Sequence, residues 1–425
     1  MERIYRQRIA DDMLQEQLEA AGVVLIQGPK WCGKTTTAQQ AAASTLFMDD
    51  PSMLQSNLML SETSPDVILQ GDTPRLIDEW QLAPCLWDAA RYEVSRRGLP
   101  GQFIFTGSAV PPDKSAITHS GTGRFAWLTM RPMSLQESGE STCSVKMSSL
   151  FRGDKAAGVS APIDIHQLAY IMCRGGWPGS LSLSDKAALR QANNYVDAVA
   201  NNDMSRVDGV SRNATFTRRL LRSYARHQGT QAPVSRIYDD LVSAGSNTFS
   251  HDTIYDYINA LKKIFVIEDM EAWLPNLRSK TAIRTSDTRY FVDSSIATSS
   301  MGIGPEDLVK DLNIMGLVFE TMAVRDLRIY AEALNGHVYH YRDKNGLECD
   351  AVVHLRNGKY GLIEIKLGGS SLIESGADTL KQLAVKIETT KMSEPSFLMV
   401  LTGLGQYAYT RHDGVMVVPI GCLGV

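Results

Sequence analysis

The chain has 425 residues, of which 44% are hydrophobic and 21% charged. That length suits two to four cores of about 100–200 residues each, and the composition excludes a disulfide-stapled module, a fibrous chain or wholesale disorder. With 43 Lys+Arg against 47 Asp+Glu the net charge is −4, so a nucleic-acid partner must be held by a local basic surface. Cys32, Cys85, Cys143, Cys173, Cys349 and Cys422 form no C-x-x-C pair, which disfavours zinc and reads as reduced thiols. Met1 to Ala10 is charged, and runs such as Val23 to Ile26 are too short for a bilayer, so a soluble, cytoplasmic chain without a membrane partner is expected.

Val23-Val24-Leu25-Ile26 is a continuous apolar run of the kind a strand buried on both faces carries. It leads into Gly28-Pro29-Lys30-Trp31-Cys32-Gly33-Lys34-Thr35-Thr36, which contains G-x-x-x-x-G-K-T. Such a loop wraps phosphate in backbone N–H groups, Lys34 reaches the β and γ phosphates, Thr35 ligates Mg²⁺, and a helix from Thr36 to Ala43 adds its positive end. ATP and Mg²⁺ are therefore the expected ligands.

A second strand, Arg75-Leu76-Ile77, ends in Asp78-Glu79 at the edge where parallel sheets bind ligands. Asp78 suits the Mg²⁺ shell, and Glu79 suits activation of the attacking water. A third strand, Gln102 to Phe105, ends in Thr106-Gly107-Ser108, whose hydroxyls either sense the γ-phosphate or simply close a turn. Together with Ser120-Gly-Thr-Gly-Arg124 and the stretch to Glu137, these motifs resemble prokaryotic AAA-type ATPases that carry a C-terminal domain of unclear function. The resemblance implies a nucleotide-sensing or intersubunit arginine, for which Arg124 is the first candidate and Arg131 its rival. The intersubunit alternative would require a homo-oligomer, a state that the residues leave open.

Gly175-Gly176-Trp177-Pro178 punctuates an Ala-, Leu- and Gln-rich stretch that suits a helical lid. Helices over Phe216 to His227 and Val234 to Ala244 follow, then a third from Ser250 or His251. In the third, Ile254, Tyr257, Ile258, Leu261, Ile264 and Phe265 make one stripe, opposite Asp256, Asn259, Lys262 and Lys263. Two strand-like runs, Phe265 to Glu268 and Arg289 to Val292, bracket a loop with Arg278, Lys280 and Arg284, the arrangement of a winged helix. Between Arg212 and Arg236 stand Arg212, Arg218, Arg219, Arg222, Arg226 and Arg236 with no Asp or Glu. Such a run suits DNA phosphates, although winged helices also dock proteins.

Near the C-terminus, Leu347 to Leu355 and Tyr360 to Leu367 read as a hairpin. A two-residue Asn357-Gly358 turn would set their apolar sets on opposite faces. A three-residue loop, Arg356-Asn357-Gly358 with left-handed glycine, aligns them and places Asp350 opposite Glu364, with Lys366 next on that face. Glu320 lies on the inward stripe of the preceding helix with Leu317, Val324, Leu327, Ala331 and Leu334. Glu320, Asp350, Glu364-x-Lys366 and Gln382 resemble the PD-(D/E)xK nuclease fold. The resemblance implies Mg²⁺ on Asp350 and Glu364 and water positioned by Lys366, or else a relic of that fold that binds without cutting.

The expected architecture is a multidomain α/β chain. It has a P-loop parallel-sheet ATPase core (1–155), a helical lid (156–205), a winged helix (206–305) and a nuclease-like α/β domain (306–425).

Overall fold

Five short strands build the first sheet: β1 (Val23–Gln27), β2 (Ser44–Phe47), β3 (Arg75–Asp78), β4 (Phe103–Gly107) and β5 (Phe125–Thr129). They run parallel in the order β2-β3-β4-β1-β5. Side chains alternate across the sheet, so Val23, Leu25, Ile77, Phe103 and Phe105 enter one core with Trp80, Trp87 and Leu86. Val24, Ile26, Leu76, Ile104 and Leu128 enter the other with Leu14 and Leu18 of the helix Ile9–Ala20. Two covered faces explain why the central strands β1 and β4 read as unbroken apolar runs.

The computed structural model describes residues 5–108, 121–243, 250–273, 286–387 and 392–425. By contacts it forms two units: Met1–Pro132 with Val199–Asn213 and Asn259–Val266, and Met133–Ala198 with Ala214–Ile258 and Ile267–Val425. The first unit's leading segment thus closes at Pro132 instead of near 155. The stretch beyond it joins the second unit through β6 (Val145–Lys146) and β7 (Gly158–Val159).

The second unit holds a seven-stranded mixed sheet in the order β7-β12-β13-β11-β10-β9-β8. Its other members are β8 (Gly336–Arg342), β9 (Glu348–Leu355), β10 (Tyr360–Lys366), β11 (Phe397–Thr402), β12 (Tyr407–Thr410) and β13 (Met416–Pro419), while β14 (Leu423–Gly424) pairs with β6. The helix Ser370–Lys386 crosses between the parallel strands β10 and β11 and buries Gly376, Ala377, Leu380 and Leu383. The expected lid region holds helices Ile165–Arg174 and Asp185–Ala198.

The helices Ala214–Arg226, Val234–Ser243 and His251–Lys263 are present. In the third, Ile254, Tyr257, Ile258 and Leu261 are buried, as the stripe requires. Where strands were expected over Phe265 to Glu268 and Arg289 to Val292, the described residues form isolated antiparallel bridges instead, Ile267–Phe291 and, just beyond both runs, Met270–Thr288. Arg278, Lys280, Arg284 and Ser120 lie outside the described residues.

The β9–β10 hairpin has the three-residue loop. Leu355 N–H donates to Lys359 C=O at 2.8 Å, Gly358 N–H to Leu355 C=O at 3.0 Å, and Gly358 has φ 86°. Ile363 pairs with Ala351, which puts Glu364 opposite Asp350 in continued register. Nothing stands near the position a Cβ would take at Gly358. Gly358→Ala should therefore cost only the left-handed backbone penalty, about 1–2 kcal/mol in denaturant unfolding; an unchanged midpoint would show that the turn does not hold this register.

Candidate functional sites

In the first unit the loop after β1 carries the phosphate-binding motif. Gly28 has φ 151°, and a Cβ there would fall 2.0 Å from the Met130 carbonyl oxygen, so the loop passes where only glycine fits. Gly33, at φ 102°, caps the helix Lys34–Ala41, and Trp31 takes φ 67° with its side chain half exposed. Lys34 is buried, and its ammonium donates to the carbonyls of Gly28 (3.0 Å) and Pro29 (2.8 Å). Thr36 is exposed, whereas Cys32 is buried with its thiol toward the Met130 carbonyl.

Strand β4 lies between β1 and β3, and registers Ile26 with Thr106 and Thr106 with Asp78. All three strand ends therefore share the loop's edge. The Thr35 hydroxyl donates to Asp78 Oδ1 at 2.8 Å, and the Thr106 hydroxyl donates to the same oxygen. Burial pushes the Asp78 carboxyl up, against the two hydroxyls that stabilise its charge. Glu79 sits at φ 53° and accepts a hydrogen bond from the Gln81 amide; burial raises its pKa above the usual carboxylate range, with the Asp78 charge adding to the effect. Ser108 is buried at the end of the same strand.

The two candidate arginines separate. Arg124 precedes β5, its carbonyl accepts from Val23 N–H at the start of β1, and its guanidinium donates to Ser95 at 2.6 Å. It lies one strand length, roughly 15 Å, from the loop of its own chain, which leaves the intersubunit alternative for Arg124 as the one this geometry suits. Arg131 follows the other end of β5, where Met130 N–H donates to Gln27 C=O beside the loop.

A brace that sequence reading missed comes from the N-terminus. Buried Arg8 donates to the Cys32 carbonyl (2.7 Å) and the Arg131 carbonyl (2.8 Å), and Tyr5 Oη lies 2.9 Å from the Thr37 hydroxyl. No motif announces these residues; the sole signal is an arginine ahead of an otherwise amphipathic helix.

In the second unit Lys366 Nζ stands 2.9 Å from Asp350 Oδ2 and 2.7 Å from Glu364 Oε2. Asp350 also accepts from Ile365 N–H at 2.7 Å. The Tyr290 hydroxyl donates to Glu320, beside the left-handed Gly229. Burial first, then the Asp350 charge, push the Glu320 and Glu364 carboxyls up to about 8. Burial disfavours the Lys366 ammonium, but the charges of Asp350 and Glu364 outweigh it and raise its pKa. Thus Glu320, Asp350, Glu364 and Lys366 form one electrostatic group. Gln382 does not join it: the helix Ser370–Lys386 turns Gly376 toward Glu364 and leaves Gln382 exposed, a correction to the expected set.

Of the six arginines, Arg212 forms a two-bonded pair with Asp208 and Arg218 pairs with Asp197. Arg219, Arg222, Arg226 and Arg236 are exposed, and Arg226 also pairs with Asp240 at 3.4 Å. Among the described residues no helix is long and apolar enough to cross a membrane.

Residues 20–139 match the family described as an AAA domain, residues 165–307 a domain of unknown function (DUF8612), and residues 315–423 a domain of unknown function (DUF4143). The chain is 22% identical over 422 residues to an uncharacterized protein of Mycobacterium bovis and, equally, to one of Mycobacterium tuberculosis, covering 98% of this chain and 84% of each relative. Similar solved structures include the Walker-type ATPase PABY2304 of Pyrococcus abyssi (14% identity, TM-score 0.41, 70% of this chain and 96% of that one). Another is a single-substitution variant of Thermotoga maritima RuvB (16%, TM-score 0.26, 61% and 86%). The segment matched by the AAA domain is the one that carries the phosphate loop and the Thr35–Asp78 contact.

Glu320 supplies a pH test. Its folded pKa lies above the unfolded value, so the native state binds the extra proton. The resulting stability is full below about pH 4.5 and is lost as pH rises through about 8. Glu320→Gln should flatten that decline in melting temperature between pH 5 and 8; an unaltered slope would contradict the assignment.

Proposed function

We propose that the chain hydrolyses ATP in its first unit and engages DNA through the helical arginines of its second, with a nuclease-like C-terminal fold. The observation that carries the ATPase reading is the Thr35–Asp78–Thr106 cluster at the edge that also holds Lys34 and Glu79. The Thr35 hydroxyl and the Asp78 carboxylate are hard oxygen donors 2.8 Å apart, a donor set that fits Mg²⁺. When bound, Mg²⁺ neutralises charge that develops on the phosphates. Lys34, now satisfied by two loop carbonyls, turns its ammonium to the phosphate oxygens, and Thr106 keeps Asp78 aimed. Glu79 takes the proton of the attacking water on its carboxylate, and burial has moved its pKa toward the range useful for that transfer. Lys34→Ala should lower ATP turnover at least about 100-fold. Glu79→Gln should lower it about 10²–10⁴-fold while nucleotide still binds. Phosphate release at the wild-type rate by Lys34→Ala would refute the reading.

Support for DNA comes from the exposed Arg219, Arg222, Arg226 and Arg236 and from the three helices with their antiparallel bridges, consistent with a winged helix. Affinity for duplex DNA should then fall steeply with log salt, and less steeply once Arg222 and Arg226 are both replaced by Ala. A salt-independent affinity would exclude this surface.

As they stand, Asp350 and Glu364 do not make a metal site. Lys366 already bonds both, and no group of three or more His, Cys, Asp or Glu side chains among the described residues is placed to hold a metal. This favours the reading in which the nuclease-like fold binds without cutting. With Mg²⁺ or Mn²⁺, with and without ATP, single-stranded, duplex and branched DNA should stay intact. Cutting that disappears in Glu364→Ala would restore the metal-dependent reading.

A further inference from the structure

The first unit contains a segment distant in sequence from its sheet, Val199–Asn213, and an ion pair joins that segment to the phosphate loop. Lys30, the third residue of the loop, places Nζ 2.6 Å from Asp203 Oδ1. The two partners differ in surroundings: the Lys30 side chain is 42% exposed, the Asp203 side chain 11%. A carboxylate so enclosed depends on its cation far more than the lysine depends on it. The segment also carries its own internal bonds. Arg212 binds Asp208 through both nitrogens at 2.7 and 2.9 Å and donates to the Met204 carbonyl at 2.8 Å, and its own N–H donates to the Ser205 hydroxyl at 3.0 Å. Asp203 closes a π-helical turn, Val199–Asp203, a geometry that recurs at functional sites.

We propose that Lys30 is a nucleotide-binding residue and Asp203 its counter-ion in the nucleotide-free chain, so that phosphate and Asp203 compete for one ammonium. The inference rests on the ATP-binding reading of the loop. Phosphates cradled by the amides of Gly28 to Thr35 bring several negative charges to the loop that bears Lys30. They attract Lys30 and repel Asp203, and both effects act against the 2.6 Å contact. Loss of that contact leaves Asp203 without its cation and loosens the π-helical turn, while Arg212 keeps the remainder of Val199–Asn213 in place. The segment runs directly into the helix Ala214–Arg226, which carries four of the six arginines, so the nucleotide state is read next to the basic helix in sequence.

The test uses the full chain, Mg²⁺ and a fluorescent ATP analogue. Asp203→Asn should tighten binding about three- to tenfold, Lys30→Met should weaken it, and Asp203→Asn should add nothing in the Lys30→Met background. Hydrogen exchange gives a second reading: nucleotide should raise exchange at 199–206 in the wild type. In Lys30→Met that exchange should already be high and indifferent to nucleotide, which decides the matter even if Asp203→Asn fails to fold. Equal effects of Asp203→Asn with and without Lys30, or exchange that ignores nucleotide in the wild type, would overturn the proposal while leaving ATP binding intact. A wild-type chain that binds no nucleotide would overturn both.

Discussion

The Asp78 carboxylate is the point on which the first unit's chemistry depends. One of its oxygens accepts from Thr35 at the start of the phosphate-loop helix and from Thr106 at the end of the intervening strand. Three segments far apart in sequence are thereby held at one sheet edge by a single partly desolvated charge. Because β4 separates β1 from β3, the acid reaches the loop only across a strand, and Thr106 is the residue that fills the gap. The expensive feature is the burial of Asp78 and Glu79 side by side, which raises both acids. Such clustering of acids whose titration is displaced by burial is what a hydrolytic site needs and what a stable core avoids.

The second unit solves a related problem differently. Glu320, Asp350 and Glu364 would repel one another in the low dielectric between sheet and helices, and Lys366 sits among them as a fixed counter-charge. A hydrogen-bonded cation at 2.7 and 2.9 Å holds Asp350 and Glu364 together on one sheet face. Nearby, Arg325 is buried with Asp293 and Asp326, and this ion group joins Gly176 and Leu135 N–H to the long helix Leu312–Ala333. Two enclosed charge groups thus knit discontinuous parts of this unit together.

What was legible in the sequence follows from periodicity. The unbroken apolar runs gave away β1, β3 and β4, and the fixed spacing of the phosphate loop located Lys34 and Thr35. In the hairpin, a strict period of two left one loop length that aligned Ala351 with Ile363, and this carried Asp350 to Glu364. Where the outcome depended on contacts across the chain, local pattern had nothing to offer. Arg124 and Arg131 stand close together in sequence with similar surroundings, yet a parallel strand carries them to opposite ends of the sheet. Gln382 is on the expected helix but off its buried stripe of Gly376, Ala377, Leu380 and Leu383. Arg8, Tyr5 and Asp203 carry no motif because each acts on the loop through space.

The Arg8 brace also bears on the order in which the chain acquires its pocket. Arg8 bonds the carbonyls of Cys32 and Arg131, and the latter is 123 residues further along. During synthesis, when domains fold as they emerge, the loop, its helix and its acidic strand all leave the ribosome before the residue that completes this clamp. The nucleotide pocket is therefore finished by the last strand of its own sheet. A nascent chain arrested before β5 holds every motif residue and lacks the frame that fixes them.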